Sequence, residues 1–379
     1  MSSELETYLK SIVKYDIPWC NFMGYFNPYV DPFQHFISKN IPDFDYQAYK
    51  KYPRYNHVYD KLWVIKSQGL IGGTIDEISS EDKIPYPIFI KPRWGHKSAT
   101  SKNCFKIKSY EELEKYKHIP EMMWSEFFNA KEQMTDYILL NGKIVYQITY
   151  VYSDSQKEFI EEWKYISPKN KPLVKITDWV NNNLNGFTGA VNLQYRSDKI
   201  IEVSLRLARG GAYILSTKNQ YIIENINNVV DNNTWNYDYD YSDKLDFKPF
   251  YSFKCYTQIP LLYVYPQKVL DSMMKKHETM PFYEYYFEPS GKNGMVVLQF
   301  LHEDFEKGMQ TKKHIETMIN MAQILFMVLF ICGLMLLAYN KILGIGIIII
   351  VGLLFNTRFL NPLGVQYSQW KATKQLLFT

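Results

Sequence analysis

Cysteine is scarce in this sequence: four residues in 379, Cys20, Cys104, Cys255 and Cys332. None stands at a spacing that metal ligands use, and Cys332 falls inside an apolar run. Neither a zinc site nor a disulfide framework is therefore expected. The polar part of the chain is expected to face a reducing compartment. A strong charge imbalance is also missing. The formal net charge is +4, too mild for nucleic acid to be expected as a partner. There is no internal repeat and no Ser/His/Asp or Cys/His arrangement of the kind that builds a nucleophile. Met1 to Lys10 carries charges and no apolar core, so no signal peptide is expected there. What is present is an ordinary globular composition, 22% charged and 46% apolar, with tyrosine unusually abundant at 32 residues. Most of such a chain should fold around a buried core.

One stretch departs from that average. From Met321 to Phe355 the only charged residue is Lys341. A single helix of that length would span roughly 52 Å, against a hydrocarbon core of about 30 Å. Asn340-Lys341 divides the run into Met321–Tyr339 and Ile342–Phe355. A transmembrane helical hairpin is the expectation, with one span as the alternative. Lys307, Lys312 and Lys313 precede it, and Arg358, Lys371 and Lys374 follow. The positive-inside rule then places both outer ends in the cytosol and Lys341 on the far side.

The first ~55 residues are rich in aromatics and proline and read as a small irregular region. An amphipathic helix is expected over Tyr59–Leu70, and a buried strand over Tyr86–Lys91, closed by Pro92. Ser109 reads as the N-cap of a short helix, with Glu112 three residues on. Met122–Phe128, Thr135–Leu140 and Lys143–Tyr152 read as strands, and Asn141-Gly142 as a hairpin turn. Gln220–Val230 reads as a helix and Tyr237–Lys248 as a loop. Strands are expected over Leu261–Tyr265 and Met295–Phe300. Helices are expected over Gln267–Lys276 and from Glu303 into the apolar run.

Three segments carry chemistry. In the first, Lys91 ends an apolar strand and is followed by Pro92-Arg93-Trp94-Gly95-His96-Lys97-Ser98. A loop with Gly95 and Ser98 can bring backbone N–H groups and cations close to phosphate oxygens. In the second, Glu126, Glu132 and Asp136 are spaced to sit at strand ends around a turn, where carboxylates can accept bonds from ribose hydroxyls. The third is the most informative. Val191, Leu193 and Tyr195 alternate with Asn192, Gln194 and Arg196, and Ile201, Val203 and Leu205 alternate with Glu202, Ser204 and Arg206. Side chains alternate faces along a strand. A three-residue turn, Ser197-Asp198-Lys199, would set Gln194 opposite Glu202 and gather Asn192, Gln194, Glu202, Ser204 and Arg206 on one face. An amide and a carboxylate oxygen suit Mg²⁺, which also takes waters and substrate phosphates. Arg206 can clamp a phosphate or carboxylate. Each segment alone also fits an ordinary solvated surface.

In order and character these segments resemble the ATP-grasp enzymes, especially the carbamoyl-phosphate synthetase and biotin-carboxylase type, from about Tyr59 to Leu215. Tyr59-Asp60-Lys61-Leu62 with Gly69 resembles the family's first lysine and the glycine after it. Ile90-Lys91-Pro92-Arg93 resembles its second, phosphate-contacting lysine. Ser125-Glu126-Phe127-Phe128 with Glu132 and Asp136 resembles the adenine hinge and ribose-binding glutamate. Asn192–Tyr195 and Ile201–Arg206 resemble the metal-binding hairpin. The resemblance implies an α+β, ATP-grasp fold of two subdomains with nucleotide between them, followed here by the membrane hairpin. It implies ATP and Mg²⁺ as cofactors. Lys61, Lys91 and Ser98 would meet phosphates, Glu126 and Glu132 the nucleoside, and Gln194 and Glu202 the metal. Arg206 and Arg209 would face the reacting carboxylate. The implied activity is ligation of a small-molecule carboxylate to an amine or thiol through an acyl phosphate. Two departures weigh against it. Ser204 stands where the family usually has Asn, and Ala99 stands where glycine is common in the loop. The alternative is a degenerate ATP-grasp domain kept as a membrane-bound binding or structural module. The expected division is residues 1–55, a short N-terminal region; 56–230, the ATP-grasp domain; 231–318, an α+β extension; 319–356, the hairpin; and 357–379, a cytosolic tail.

Overall fold

The computed structural model describes residues 36–42, 44–97, 103–153, 162–257, 272–273, 275–282 and 295–356. Ser98, the expected strand Leu261–Tyr265, most of the expected helix Gln267–Lys276, and both the first 35 residues and the tail from 357 lie outside them. The chain divides into two compact units. One, the two-sheet unit, comprises Phe33–Asp154 and Tyr165–Pro249. The other, the hairpin unit, comprises Met1–Pro32, Ser155–Lys164 and Phe250–Thr379.

In the two-sheet unit, helix α1 (Asp45–Lys51) leads through a 3-10 turn (Pro53–Tyr59) into α2 (Lys61–Ser67). The helix expected over Tyr59–Leu70 is thus present but shorter, Lys61–Ser67. Pro53 starts the 3-10 turn. The Asp60 carboxylate then caps α2, accepting the Leu62 N–H at 3.0 Å. Gly69, at φ +72°, ends the segment. The first sheet contains β1 (Gly72–Thr74), β2 (Ile88–Pro92), β3 (Phe105–Ile107) and β4 (Met122–Glu126), in the antiparallel order β1-β4-β2-β3. Ile88 and Ile90 of β2 enter a core with Ile107, Leu113, Met122 and Trp124. Strand alternation sends Phe89 and Lys91 to the other face. Ser109 caps α3 (Tyr110–Glu114) as expected, accepting from the Glu112 N–H at 3.3 Å.

The second sheet of this unit contains β5 (Glu132–Leu140), β6 (Lys143–Tyr152), β7 (Trp163–Ser167), β8 (Gly189–Arg196) and β9 (Lys199–Ser204), in the order β7-β6-β5-β8-β9. Asn141 and Gly142 turn β5 into β6 with φ of 51° and 81°, the left-handed pair that a type I′ hairpin needs. Strand β5 begins at Glu132, three residues before the expected Thr135, because Glu132, Gln133 and Met134 pair with Arg196, Tyr195 and Gln194 of β8. Helix α4 (Val174–Asn183) lays Ile176, Trp179 and Val180 on a core shared with Tyr59, Tyr137, Leu193, Tyr195, Val203 and Leu205. Helices α5 (Ala212–Ser216) and α6 (Gln220–Asn232) complete the unit.

The β8–β9 turn corrects one expectation. It has two residues, Ser197 and Asp198, with Arg196 opposite Lys199 and Tyr195 opposite Ile200. The register then shifts, and Gln194 lies opposite Glu202. The extra residue is Ile201, a β-bulge. The bulge cancels the shorter turn, so the expected Gln194–Glu202 pairing holds. Ile200, rather than Ile201, joins Val203 and Leu205 in the core.

In the hairpin unit, β10 (Phe250–Thr257), β11 (Met280–Phe282) and β12 (Met295–His302) pair in the order β11-β12-β10. Helix α7 (Phe305–Tyr339) starts well before the apolar run, at Phe305, capped by Asp304 accepting the Lys307 N–H at 3.0 Å. Phe305, Met309, Ile315, Met318 and Ile319 pack with Phe253, Cys255 and Phe300. Gly308 makes this possible, since a Cβ there would lie 2.2 Å from the Phe253 ring. Gly308→Ala is expected to lower stability by about 1–3 kcal/mol through overpacking, read as a lower denaturation midpoint; an unchanged midpoint would contradict the close packing. Beyond Ile319, Ile324, Leu325, Val328, Ile331, Leu334 and Met335 are exposed. Helix α7 ends at Asn340, the expected break. Its side chain accepts the Leu343 N–H at 3.1 Å and so opens α8 (Lys341–Asn356). Gly344 lets α8 fold back against α7, because a Cβ there would meet the Leu337 backbone nitrogen at 2.6 Å.

Candidate active site

Lys61 and Lys91 come from different elements and meet at Glu202. Lys61 is the first residue of α2, and its place is fixed from both sides. Its N–H donates to the Arg93 carbonyl at 2.9 Å, and the Arg93 guanidinium clamps the capping carboxylate of Asp60 at 2.8 and 2.6 Å. Its ammonium lies 3.2 Å from the Glu202 carboxylate. Lys91 projects from the face of β2 opposite the isoleucine core. Its ammonium donates to the Ile201 carbonyl at 2.6 Å, the residue that the bulge leaves out of the β8–β9 pairing. The bulge therefore does two things: it keeps Gln194 opposite Glu202, and it offers Lys91 a carbonyl. Lys91 in this way ties the two sheets of the unit together.

Both lysines are about 5% exposed, and their charges act on each other. Burial, reinforced by the like charge of Lys61 and opposed by Glu202, brings Lys91 down to about 8. For Glu202, burial pushes the carboxyl up. The charges of Lys61 and Lys91, the Lys61 hydrogen bond and Arg206 together outweigh it, and the group is held below its ordinary value. Cys104 stands in the same field. Burial pushes its thiol up to about 11 despite Lys61 and Lys91, so it is a neutral thiol at this position.

The other expected residues are placed as follows. Glu126 closes β4, opposite Ile88. Glu132 opens β5, about 8% exposed, and its carboxylate accepts from Arg196 at 2.9 Å. Asp136 is removed from the ribose-contacting set. It is buried inside the sheet and accepts from the Tyr150 hydroxyl at 2.6 Å, Asn192 at 2.8 Å and the Ala208 N–H at 2.9 Å. Ser204 is buried opposite Asn192. Arg206 is engaged by Asp45, at 2.7 Å, and donates to the Leu207 carbonyl at 3.0 Å. Arg209 lies in the 3-10 turn Ala208–Gly211, and its side chain is outside the described residues. Sequence reading missed Asp45, Asp60 and Arg196. Each is an ionic partner of an expected site residue or of its neighbour, and such partners leave no local pattern. Among the described residues no group of three or more His, Cys, Asp or Glu is placed to hold a metal ion. Across the hairpin, Gln194 and Glu202 are register partners.

No protein-family model matches the chain, and no curated protein sequence matches it. Solved structures do. The chain is similar to an L-amino acid ligase from Bacillus licheniformis, with a TM-score of 0.50 at 13% identity over 70% of this chain and 71% of that one. It is also similar to a carboxyaminoimidazole ribonucleotide synthase from Aspergillus clavatus complexed with ATP, with a TM-score of 0.51 at 10% identity over 72% and 75%. At such identities the likeness speaks for the fold alone. The chain has the ATP-grasp fold.

Proposed function

We propose that this chain is a membrane-anchored, Mg-ATP-dependent ligase that joins a small-molecule carboxylate to an amine or thiol through an acyl phosphate. One observation carries the reading: two buried ammonium groups, Lys61 and Lys91, converge on Glu202, which lies opposite Gln194. Two like charges held together under burial are costly, and a polyphosphate would relieve them. Mg²⁺ commonly binds through one or two protein oxygens plus waters and phosphates, which fits Gln194 and Glu202. Lys61 is ion-paired with Glu202 in this structure. Metal on Glu202 would release the Lys61 ammonium to a phosphate. Lys61, Lys91 and Ser98 would then hold phosphates, Glu126 and Glu132 the nucleoside, and Arg206 and Arg209 the reacting carboxylate. Catalysis of this kind rests on positioning and charge neutralisation and needs no dedicated nucleophile. The relatives in structure, one a ligase and one bound to ATP, support the same reading. The test is calorimetry with Mg-ATP, followed by ADP release with candidate carboxylates and amines. Saturable binding with substrate-dependent ADP release is expected; no binding would overturn the assignment.

Ser204 favours a second reading. It is buried against Asn192, so that position supplies no carboxamide oxygen to a metal. A binding module without turnover would bind Mg-ATP and release no ADP with any substrate.

The anchor is the pair α7–α8. From Met321, α7 extends roughly 28 Å and α8 roughly 24 Å, lengths that suit a bilayer spanned by a hairpin with little tilt. Helix α7 is long and apolar enough to cross a membrane, and Lys341–Ile350 of α8 is a shorter apolar helix. The basic residues at both outer ends put the ATP-grasp domain on the cytosolic side. The expected outcome is that the full chain stays in the membrane pellet after alkaline carbonate washing, whereas release into the supernatant would overturn the anchor.

A further inference from the structure

One residue joins Lys61 to Lys91. Arg93 follows Lys91 by two positions, just past the end of β2. Its N–H donates to the Glu121 carbonyl at 2.9 Å, which holds it to the segment that enters β4. Its carbonyl accepts the Lys61 N–H at 2.9 Å, and the Gly95 N–H donates to the Tyr59 carbonyl at 2.8 Å. These two bonds bracket Asp60 and Trp94 as an antiparallel bridge. The Arg93 guanidinium then takes the buried Asp60 carboxylate in its fork, Nε to Oδ1 at 2.8 Å and Nη2 to Oδ2 at 2.6 Å. The same Oδ1 accepts the Leu62 N–H at 3.0 Å. The carboxylate that starts α2 is therefore held by the segment that continues the Lys91 strand. A bidentate pair fixes direction as well as distance, which a single ammonium contact does not. Lys61 is the first residue of α2, so its backbone lies between the Arg93 carbonyl and the Asp60 cap. Its ammonium meets Glu202, and that of Lys91 meets the carbonyl of the preceding residue, Ile201.

We propose that Arg93 is a positioning residue: by bracing Asp60 it sets the start of α2, and with it the Lys61 ammonium, at a fixed place relative to Lys91. Neutralising a polyphosphate depends on where the cations stand, and an offset of about 1 Å can cost as much as about 100-fold. Without the guanidinium, Asp60 would still cap Leu62, but as a buried carboxylate stripped of its strongest donors. The start of α2 would lose its lateral hold, and the two ammonium groups their common register. Arg93 acts through Lys61 and not on the nucleotide itself. The inference rests on the reading that Lys61 and Lys91 hold ATP phosphates, and it adds a residue that this reading does not use.

The test is a double-mutant cycle on the full chain in detergent, read by calorimetry with Mg²⁺ and a non-hydrolysable ATP analogue. Arg93→Met is expected to weaken binding of the analogue by about 10-fold. Arg93→Lys keeps the charge without the fork and should lose less. The decisive comparison is made in Lys61→Met. There the Arg93→Met change is expected to add less than about twofold, because the residue through which it acts is already gone. A direct contact of Arg93 with the nucleotide, or a general loosening of the fold, would add its full loss in either background. Asp60→Asn keeps a cap and removes the carboxylate that Arg93 holds. It is expected to match Arg93→Met, and it takes that variant's place in the cycle if Arg93→Met does not fold. The proposal is overturned if these variants bind the analogue as the parent does, or if their loss adds in full to that of Lys61→Met. If the unaltered chain fails to bind the analogue, or Lys61→Met binds it as the parent does, the phosphate reading falls and the brace with it. Both results are seen before Arg93 is altered, so the two failures are told apart.

Discussion

Lys91→Met should abolish the thermal stabilisation that Mg-ATP gives this protein, weakening nucleotide affinity by at least about 100-fold, as loss of a buried charge-assisted phosphate contact does. Methionine keeps most of the apolar stem, so the packing of β2 is little disturbed. A variant still stabilised as the parent is would remove Lys91 from the site. The unaltered protein offers an independent check. Lys91 sits at about 8 before nucleotide arrives, and phosphates would favour its charged form. Mg-ATP binding between pH 8 and 9 should therefore draw protons from the buffer, and binding near pH 6.5 should draw few through this group. Calorimetry in two buffers of different ionisation enthalpy measures the difference. The same shift has a stability sign. A lysine depressed in the folded state binds fewer protons than in the unfolded chain between about 8 and 10.5, so its burial costs stability at neutral pH and costs less as pH rises through that window.

The second large effect belongs to Asp136. Asp136→Ala leaves the Tyr150 hydroxyl, the Asn192 amide and the Ala208 N–H without their acceptor. A loss of about 3 kcal/mol or more is expected, since each orphaned buried donor costs about 1–3 kcal/mol. Asp136→Asn keeps an acceptor and should lose less. The pH dependence separates charge from geometry. Burial raises Asp136 to about 6, against the three donors. A carboxyl raised in the folded state contributes stability that is present below about pH 4 and lost as pH rises through about 6. Relative to Asp136→Asn, the parent should thus lose stability across that window, by about 3 kcal/mol for a shift of roughly two pKa units. Parallel denaturation midpoints for the two proteins from pH 4 to 7 would show that Asp136 titrates normally.

Local patterns in the sequence were read well where backbone chemistry acts over a few residues. Asn141-Gly142 forces the β5–β6 turn because both residues tolerate left-handed backbone. Ser109 caps α3 because its hydroxyl reaches the Glu112 N–H. Strand β6 occupies Lys143–Tyr152 as expected. Gln194 opposite Glu202 was also legible, although through a turn one residue too long. The Ile201 bulge that corrects the turn was not legible, because alternation is equally good with Ile200 or Ile201 facing in. Asp60 was read as helix interior when it is a cap, since an aspartate within an apolar pattern fits both until the Arg93 partner is seen. Asp45 carried no signal at all. Its partner is remote in sequence, and nothing about the residues around it distinguishes an ion-paired aspartate from a solvated one.

Helix α7 has a mechanical meaning. It runs unbroken from the Phe253–Phe300 packing into the apolar stretch, so it is a shaft with no joint. The rotational phase between the face that grips Phe253 and the face that meets α8 is set by residue count alone. One residue inserted after Ile319 would turn the far end by about 100° relative to the near end, while three or four would nearly restore it. The length of that stretch is under tighter constraint than its composition.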